Sequence, residues 1–134
     1  MNDIQLLRPA ELVTSPVFSH VAVVPPNATT IYVGGQNAVD AQGALVGGDD
    51  IAAQMRQVMT NVEAALAAVG AGFADLISMS ILVVAGHDLR AAYGVAAASL
   101  NTGGNPPLVS VAMVAGLAVP GALIELSAVA AVVR

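Results

Sequence analysis

The sequence predicts an α+β fold in which two helices cover one face of a sheet. Two observations predict it. Two segments begin at an Asp that can cap a helix, the first of them with apolar residues at helical spacing, and the segments around them are extended, apolar and bounded by Pro or Gly. The predicted order is β-β-(short β)-α-β-α-β-β, which suits helices layered on one sheet face. A chain of 134 residues is close to the commonest domain size, so we expect one domain over residues 1–134.

The first elements in the chain are predicted to be strands. Val17 to Val24 and Thr29 to Gly35 are extended and apolar, and Pro25-Pro26-Asn27-Ala28 lies between them. Because Pro and Asn favour turns, we expect these two strands to pair as a hairpin. A second turn at 40–43 then leads into a short extended piece at 44–46.

The first helix is predicted to begin at Asp49 or Asp50 and to end at Gly70 and Gly72. An Asp carboxylate accepts hydrogen bonds from the free amides of a first helical turn, and Gly adopts the left-handed conformation that ends helices. The apolar residues that define its buried face are Ile51, Met55, Val58, Val62, Leu66 and Val69.

The second half of the chain is predicted to hold three strands and one helix. The strands span 76–84, 108–117 and 123–133, and Pro120-Gly121 forms the turn between the last two. The helix begins at Asp88 and ends near Leu100.

The final strand is apolar on both faces. Alternate residues are predicted to point to opposite faces, with Leu126, Ala128, Ala130 and Val132 on one and Ser127, Val129, Ala131 and Val133 on the other. A sheet with helices on one side normally shows polar residues on its other side. Hydrophobic residues form 57% of the chain and charged residues only 10%, so we expect self-association to cover the second face.

The charge balance disfavours several partners. The net charge is −5 and lysine is absent, whereas nucleic acids and anionic membranes select cationic proteins. Cysteine is also absent, which excludes disulfides and thiol chemistry. Because the N-terminus lacks a signal-peptide pattern and no apolar run reaches about 20 residues, we expect a cytoplasmic protein.

Few residues suggest chemistry by themselves. His20 and His87 are the only histidines, and neither has metal-ligand spacing, so no metal site is predicted and each is interpreted as a surface or locally bonded imidazole. Gly47-Gly48 precedes a helix and either binds an anion or forms a simple loop, the latter being favoured. Gly34-Gly35-Gln36 matches neither a P-loop nor a dinucleotide motif.

Glu125 is the exception, because it is an acid inside the apolar segment Leu123-Ile124-Glu125-Leu126. A partly buried carboxylate can orient water or transfer a proton. The alternative is a strand Glu that faces solvent or a backbone amide. From the residues alone, both interpretations stay open.

Four segments, in order, resemble the RidA (YjgF/YER057c/UK114) family. Ser15-Pro16-Val17-Phe18-Ser19 is similar to its Pro-x-Tyr-Ser segment, and Val33-Gly34-Gly35-Gln36 to its Ser-Gly-Gln segment. The stretch 48–62 resembles its first helix, the most specific of the matches. Residues 123–130 resemble its closing Val-Glu-Ile-Glu-Ala-Val-Ala strand.

The resemblance implies a chorismate-mutase-like fold with a mixed sheet, assembled as a homotrimer with ligand clefts between subunits. It also implies deamination of 2-imino acids without a cofactor. In such family members an Arg on the next-to-last strand binds the substrate carboxylate, and a Glu on the last strand positions water. By position that Glu is Glu125, whereas the Arg position is Val109.

The residues carried over from the family differ from its pattern in four places. Val109 replaces the Arg, Phe18 the Tyr, Tyr93 an Asn of the second helix, and Ser127 the second Glu of the closing strand. None of the four arginines, Arg8, Arg56, Arg90 and Arg134, is expected to reach the cleft. The full ligand-binding set is Phe18, Gly35, Gln36, Tyr93, Val109 and Ser110.

Three functions follow from this set. The favoured one is hydrolysis of a neutral or weakly polar imine or enamine, with classical 2-imino-acid deamination disfavoured by Val109. The alternative is a non-catalytic trimer that binds a small ligand. An endoribonuclease role is the least favoured, because the chain is acidic and lacks lysine.

Overall fold

A computed structural model describes residues 3–134 of the chain. It contains six strands and two α-helices, with a short 3-10 turn at Phe73–Asp75. The strands are β1 (Gln5–Leu7), β2 (Val21–Val23), β3 (Ala28–Gln36), β4 (Leu76–Val84), β5 (Leu108–Val114) and β6 (Ile124–Val133); the helices are α1 (Ile51–Ala67) and α2 (Leu89–Leu100). Within the part of the chain described, no helix is both long and apolar enough to cross a bilayer.

The main sheet has the strand order β3-β6-β4-β5. It is mixed, because β4 and β5 are parallel while β6 is antiparallel to both β3 and β4. Helix α1 packs on β3 and β6, and α2 packs beside α1. The α+β prediction with two helices and a mixed sheet is therefore confirmed, with β1 as a strand that the sequence did not predict.

The predicted hairpin between the first two extended segments is wrong. Only Val21–Val23 of the segment 17–24 is a strand, and it pairs with β1 rather than with β3. Strand β3 instead lies antiparallel to β6, nearly one hundred positions further along the chain. Pro25 and Pro26 explain the failure, since neither offers a backbone N–H to a ladder and the turn they form directs β3 into a different sheet.

Helix α1 begins and ends as predicted. The Asp50 carboxylate accepts hydrogen bonds from the backbone amides of Ala52 and Ala53, and Gly70 has a φ of 74° just after the last turn. The buried residues of this helix are Ile51, Gln54, Met55, Val58, Met59, Val62 and Leu66. Val69, which the sequence placed on the buried face, is exposed.

Strand β6 alternates as predicted from 124 to 130, whereas Ala131, predicted on the second face, is fully buried. Ile124, Leu126, Ala128 and Ala130 are buried against the helices, while Glu125, Ser127 and Val129 lie on the opposite face, here called the outer face. The buried residues form one hydrophobic core with those of α1, α2 and β4. The position of Glu125 on the outer face is thus fixed by the alternation of its apolar neighbours.

The outer face is less apolar than the sequence predicts. Ser110, Ser80 and Ser127 are in direct register across β5, β4 and β6, and we call them the serine row. They line a depression of about 360 Å³ together with Tyr32, whose side chain is 80% exposed. Hydroxyl and apolar groups therefore share this face. It is left uncovered because both helices lie on the other side of the sheet.

Candidate functional site

Glu125 lies near the start of β6, in register with Leu82 of β4. Its carboxylate is partly buried on the outer face and packs against the backbone of Gly35. A Cβ atom at Gly35 would lie 3.0 Å from the Glu125 Cδ atom and 3.2 Å from Oε2. Only glycine therefore leaves the carboxylate in its present place.

The segment that carries Gly35 and Gln36 is fixed to β6 by amide side chains. Asn37 donates a hydrogen bond from Nδ2 to the carbonyl oxygen of Ile124, the residue before Glu125, at 3.0 Å. Asn61 of α1 in turn donates to the carbonyl oxygens of Asn37 and Val39, at 3.0 and 2.9 Å. The end of β3 is thus held beside the carboxylate, and we call Gly35 and Glu125 the acid group. Gln36 is not part of it, because it pairs with the buried Leu126 and donates from Nε2 to the Gly34 carbonyl oxygen at 3.2 Å.

Val109 lies on the other side of the sheet. It pairs with Met79, a buried core residue, and its own side chain packs against the core below the helices. Ser110, the next residue, points to the outer face in register with Ser80. The two neighbouring candidates on β5 therefore face opposite ways.

Phe18 lies beside the start of β5. Ser19 forms a parallel bridge with Leu108, and the Ser19 backbone N–H donates to the Pro107 carbonyl oxygen at 3.1 Å. The Phe18 ring contacts the ring of His20 edge-on, with centroids 5.2 Å apart. We call Phe18, His20 and Val109 the edge group, because all three lie along the β5 edge of the sheet.

His20 is held by a local hydrogen bond, and Tyr93 lies on the helix side of the sheet. The His20 Nε2 atom lies 2.8 Å from the carbonyl oxygen of Val13, which fits the prediction of a locally bonded imidazole. Tyr93 is exposed on α2, the helix that packs beside α1 above the sheet. Tyr93 therefore lies on the same side of the sheet as Val109, not on the side of Glu125.

One copy of the chain does not bring the acid group and the edge group together. Glu125 and Val109 are separated by β4, or about 10 Å across the sheet, and by three register positions, or about 10 Å along it. Their side chains also point to opposite faces. A site that uses both groups requires the acid group of one copy and the edge group of another.

The sequence did not predict that Arg8, named only among the arginines not expected to reach the cleft, lies beside His20 of the edge group. Its guanidinium donates from Nη2 to Asn105 Oδ1 at 2.9 Å and from Nη1 to the Ser15 carbonyl oxygen at 3.2 Å. Strand β1, which positions Arg8, has only three residues. Three residues are too few to show the alternation of a strand, so the sequence gives no signal for β1.

Comparisons with known proteins support one family. The family model described as Endoribonuclease L-PSP matches residues 10–132. No curated protein gives a significant match.

Three solved structures are similar over almost the whole chain. The first is a protein of unknown function of the conserved Rid protein family from Yersinia pestis, 32% identical with a TM-score of 0.85, covering 98% of this chain and 100% of that one. The second is a member of the YjgF/YER057c/UK114 family from Mycobacterium tuberculosis, with 27% identity, a TM-score of 0.64 and coverage of 97% and 100%. RidA from an Antarctic Psychrobacter shares the fold, with 24% identity, a TM-score of 0.70 and coverage of 94% of each chain.

Proposed function

Because the chain belongs to the RidA (YjgF/YER057c/UK114, endoribonuclease L-PSP) family, we propose that it hydrolyses a small, neutral or weakly polar imine or enamine. The reaction takes place in clefts between the subunits of a homotrimer and needs no cofactor. The single observation that supports this most is the Glu125 carboxylate, held against Gly35 at the end of β3.

The cleft follows from the separation of the two groups. The acid group lies on the outer face, whereas the edge group lies along β5 on the helix side. When the outer face packs against further copies, the acid group of one subunit meets the edge group of its neighbour. Three such contacts around a closed ring give three equivalent clefts.

The chemistry requires one water molecule and one carboxylate. Glu125 accepts a hydrogen bond from the water and takes its proton as the oxygen attacks the C=N carbon. Glu125 passes this proton to the nitrogen to give a carbinolamine, whose hydroxyl proton is then transferred through the carboxylate to the leaving ammonia as the carbonyl product forms. An enamine first takes a proton on carbon and enters the same reaction as its imine.

Val109 determines which imines fit this cleft. Its side chain is apolar and packed against the core, so it offers neither charge nor a hydrogen-bond donor to a carboxylate next to the reacting carbon. A missing hydrogen bond to a charged group costs about 1.5–3 kcal/mol. Substrates without a carboxylate at this position are therefore preferred over classical 2-imino acids.

The Glu125→Gln variant tests the proposal, because it keeps the shape of the side chain and removes its basicity. Ammonia release from 2-aminoacrylate and from neutral imines should fall about 100-fold or more in kcat. The matched control is Glu63→Gln, which makes the same change on the exposed surface of α1. Equal rates for wild type and Glu125→Gln would end the proposal of catalysis.

The apolar lining at Val109 favours a second candidate, a trimer that binds a small ligand without converting it. Thermal-shift screening would then find compounds that stabilise the protein and are recovered unchanged. Turnover of the best compound by wild type, together with its loss in Glu125→Gln, would exclude this second candidate.

A further inference from the structure

We infer that Arg8 binds a distal anionic group of the ligand, a carboxylate or a phosphate, at the rim of the edge group. The inference rests on the proposed cleft and narrows its substrate class: the imine or enamine is neutral around the reacting carbon and carries its charge only at the remote end. The ligand has an apolar part over Val109 and Phe18 and a negative charge at the end remote from the reacting carbon.

The strand register places Arg8 beside the edge group. Leu7 pairs with Val21, and the His20 backbone N–H donates to the Leu7 carbonyl oxygen at 2.9 Å, so Arg8 lies opposite His20 in the next register position. On its other side, His20 lies next to Val109, because the preceding Ser19 is bridged to Leu108 in parallel.

The distance between Arg8 and Val109 follows from the position of His20 between them. Adjacent strands are about 4.8 Å apart, so the Cα atoms of Arg8 and Val109 are on the order of 10 Å apart. That distance is too long for a carboxylate on the reacting carbon. It suits one at the end of a chain of several atoms.

The guanidinium is held in place by neutral partners. Asn105 Oδ1 and the Ser15 carbonyl oxygen accept from it, and Asn105 is itself fixed by donating from Nδ2 to the Leu6 carbonyl oxygen at 2.8 Å. Neither acceptor has a negative charge, so these contacts orient the cation without neutralising it. Its side chain is exposed, and two of the five N–H groups of a guanidinium are used, which leaves three for an anion.

The charge of the whole chain adds to this argument. With a net charge of −5, the protein repels anions except where a fixed cation is presented. An oriented arginine can bind a carboxylate or phosphate through two parallel hydrogen bonds. A guanidinium already fixed by two acceptors also loses less side-chain entropy when it binds.

Calorimetric titration of the assembled protein tests the inference with glutarate, inorganic phosphate and the uncharged glutaramide. We expect glutarate or phosphate to bind, and the tighter of the two identifies the anion chemistry. Arg8→Gln should weaken this binding at least about tenfold through loss of charged hydrogen bonds. The matched control Arg56→Gln removes the same charge from the exposed surface of α1 and should leave it within about twofold.

A second variant keeps the inference testable if Arg8→Gln does not fold. Asn105→Asp places a carboxylate against the guanidinium, so it retains the contact with Arg8 and neutralises the cation, while it gives up the Nδ2 hydrogen bond to the Leu6 carbonyl oxygen. It should weaken anion binding as much as Arg8→Gln does. A tenfold loss in either variant, absent from Arg56→Gln, supports the inference.

Three results would overturn it: no anion binding to wild type, variants within threefold of the Arg56→Gln control, or glutaramide binding as tightly as glutarate. Failure of the proposed catalysis is seen separately, because Glu125→Gln is scored by ammonia release and the Arg8 variants by anion affinity.

Discussion

At the scale of single residues, the contact between Glu125 and Gly35 determines where the carboxylate lies. An isolated acid in an apolar strand is visible in the amino-acid order, and so is the pair of glycines at 34 and 35. Their contact is not visible, because β3 and β6 are about ninety positions apart at this point and meet only through the sheet. The irregular register between Val33 and Gln36 also moves Gly35 toward the carboxylate, which a strict alternation would not predict.

The Gly35→Ala variant tests whether the exact place of the carboxylate matters. The added methyl would lie 3.0 Å from the Glu125 Cδ atom, so the carboxylate must shift by a few tenths of an ångström. We expect kcat for ammonia release to fall about tenfold, since catalytic geometry is sensitive to displacements of this size, while the melting temperature changes little.

Gly34→Ala is the matched control for that experiment, because a Cβ atom there meets nothing within 4 Å. It should leave kcat close to that of wild type. Equal losses in the two alanine variants would mean that the backbone of this segment, rather than the contact with Glu125, determines the rate.

At the scale of elements, the sequence predicted features that depend on adjacent residues, but not the pairing of strands that are distant in the chain. The caps at Asp50 and Asp88 are read from adjacent residues, and both accept the expected backbone hydrogen bonds. The partner of β2 could not be read in this way, because β-pairing depends on contacts that are remote in sequence. For the same reason the sequence did not predict the burial of Gln54. It resembles any polar residue on a helix, although its side chain is fully buried.

Gln54 should be a main determinant of stability, since it joins α1 to the turn before β6. Its Nε2 atom donates to the carbonyl oxygens of Gly48 and Gly121, at 2.7 and 2.9 Å, and its Oε1 accepts from the Leu123 amide at 2.8 Å. Gln54→Leu keeps the volume but leaves these three backbone groups unpaired, so we expect a loss of about 3 kcal/mol in the free energy of unfolding.

Urea denaturation at one fixed protein concentration measures this loss, because association also contributes to stability. The control is Gln42→Leu, an exposed position where the change should stay within about 0.5 kcal/mol. Similar midpoints for both variants would show that the three hydrogen bonds of Gln54 are replaced by water.

At the scale of the whole molecule, the sequence predicted an uncovered second face of the sheet, and the structure shows which residues form that face. The apolar residues of β6 alternate as expected from 124 to 130, but the serine row was missed because its register needs the order of the strands. Hydroxyl groups remain compatible with a covered face when they pair with each other or hold water. The separation of the acid group from the edge group gives an independent reason for this face to meet other copies.

The Tyr32→Asp variant tests that assembly. Tyr32 is 80% exposed in one copy, so its replacement should leave the fold of the subunit intact, as circular dichroism would report. In a trimer, the same change would bury three carboxylates near one another, and burying unpaired charges is costly. Light scattering should therefore give three times the 13.3 kDa chain mass for wild type and a single chain mass for Tyr32→Asp.

Ala64→Asp, which adds the same charge on the exposed side of α1, should remain a trimer. A wild-type protein that is a monomer, or a Tyr32→Asp variant as trimeric as Ala64→Asp, would mean that the outer face is not where the copies meet.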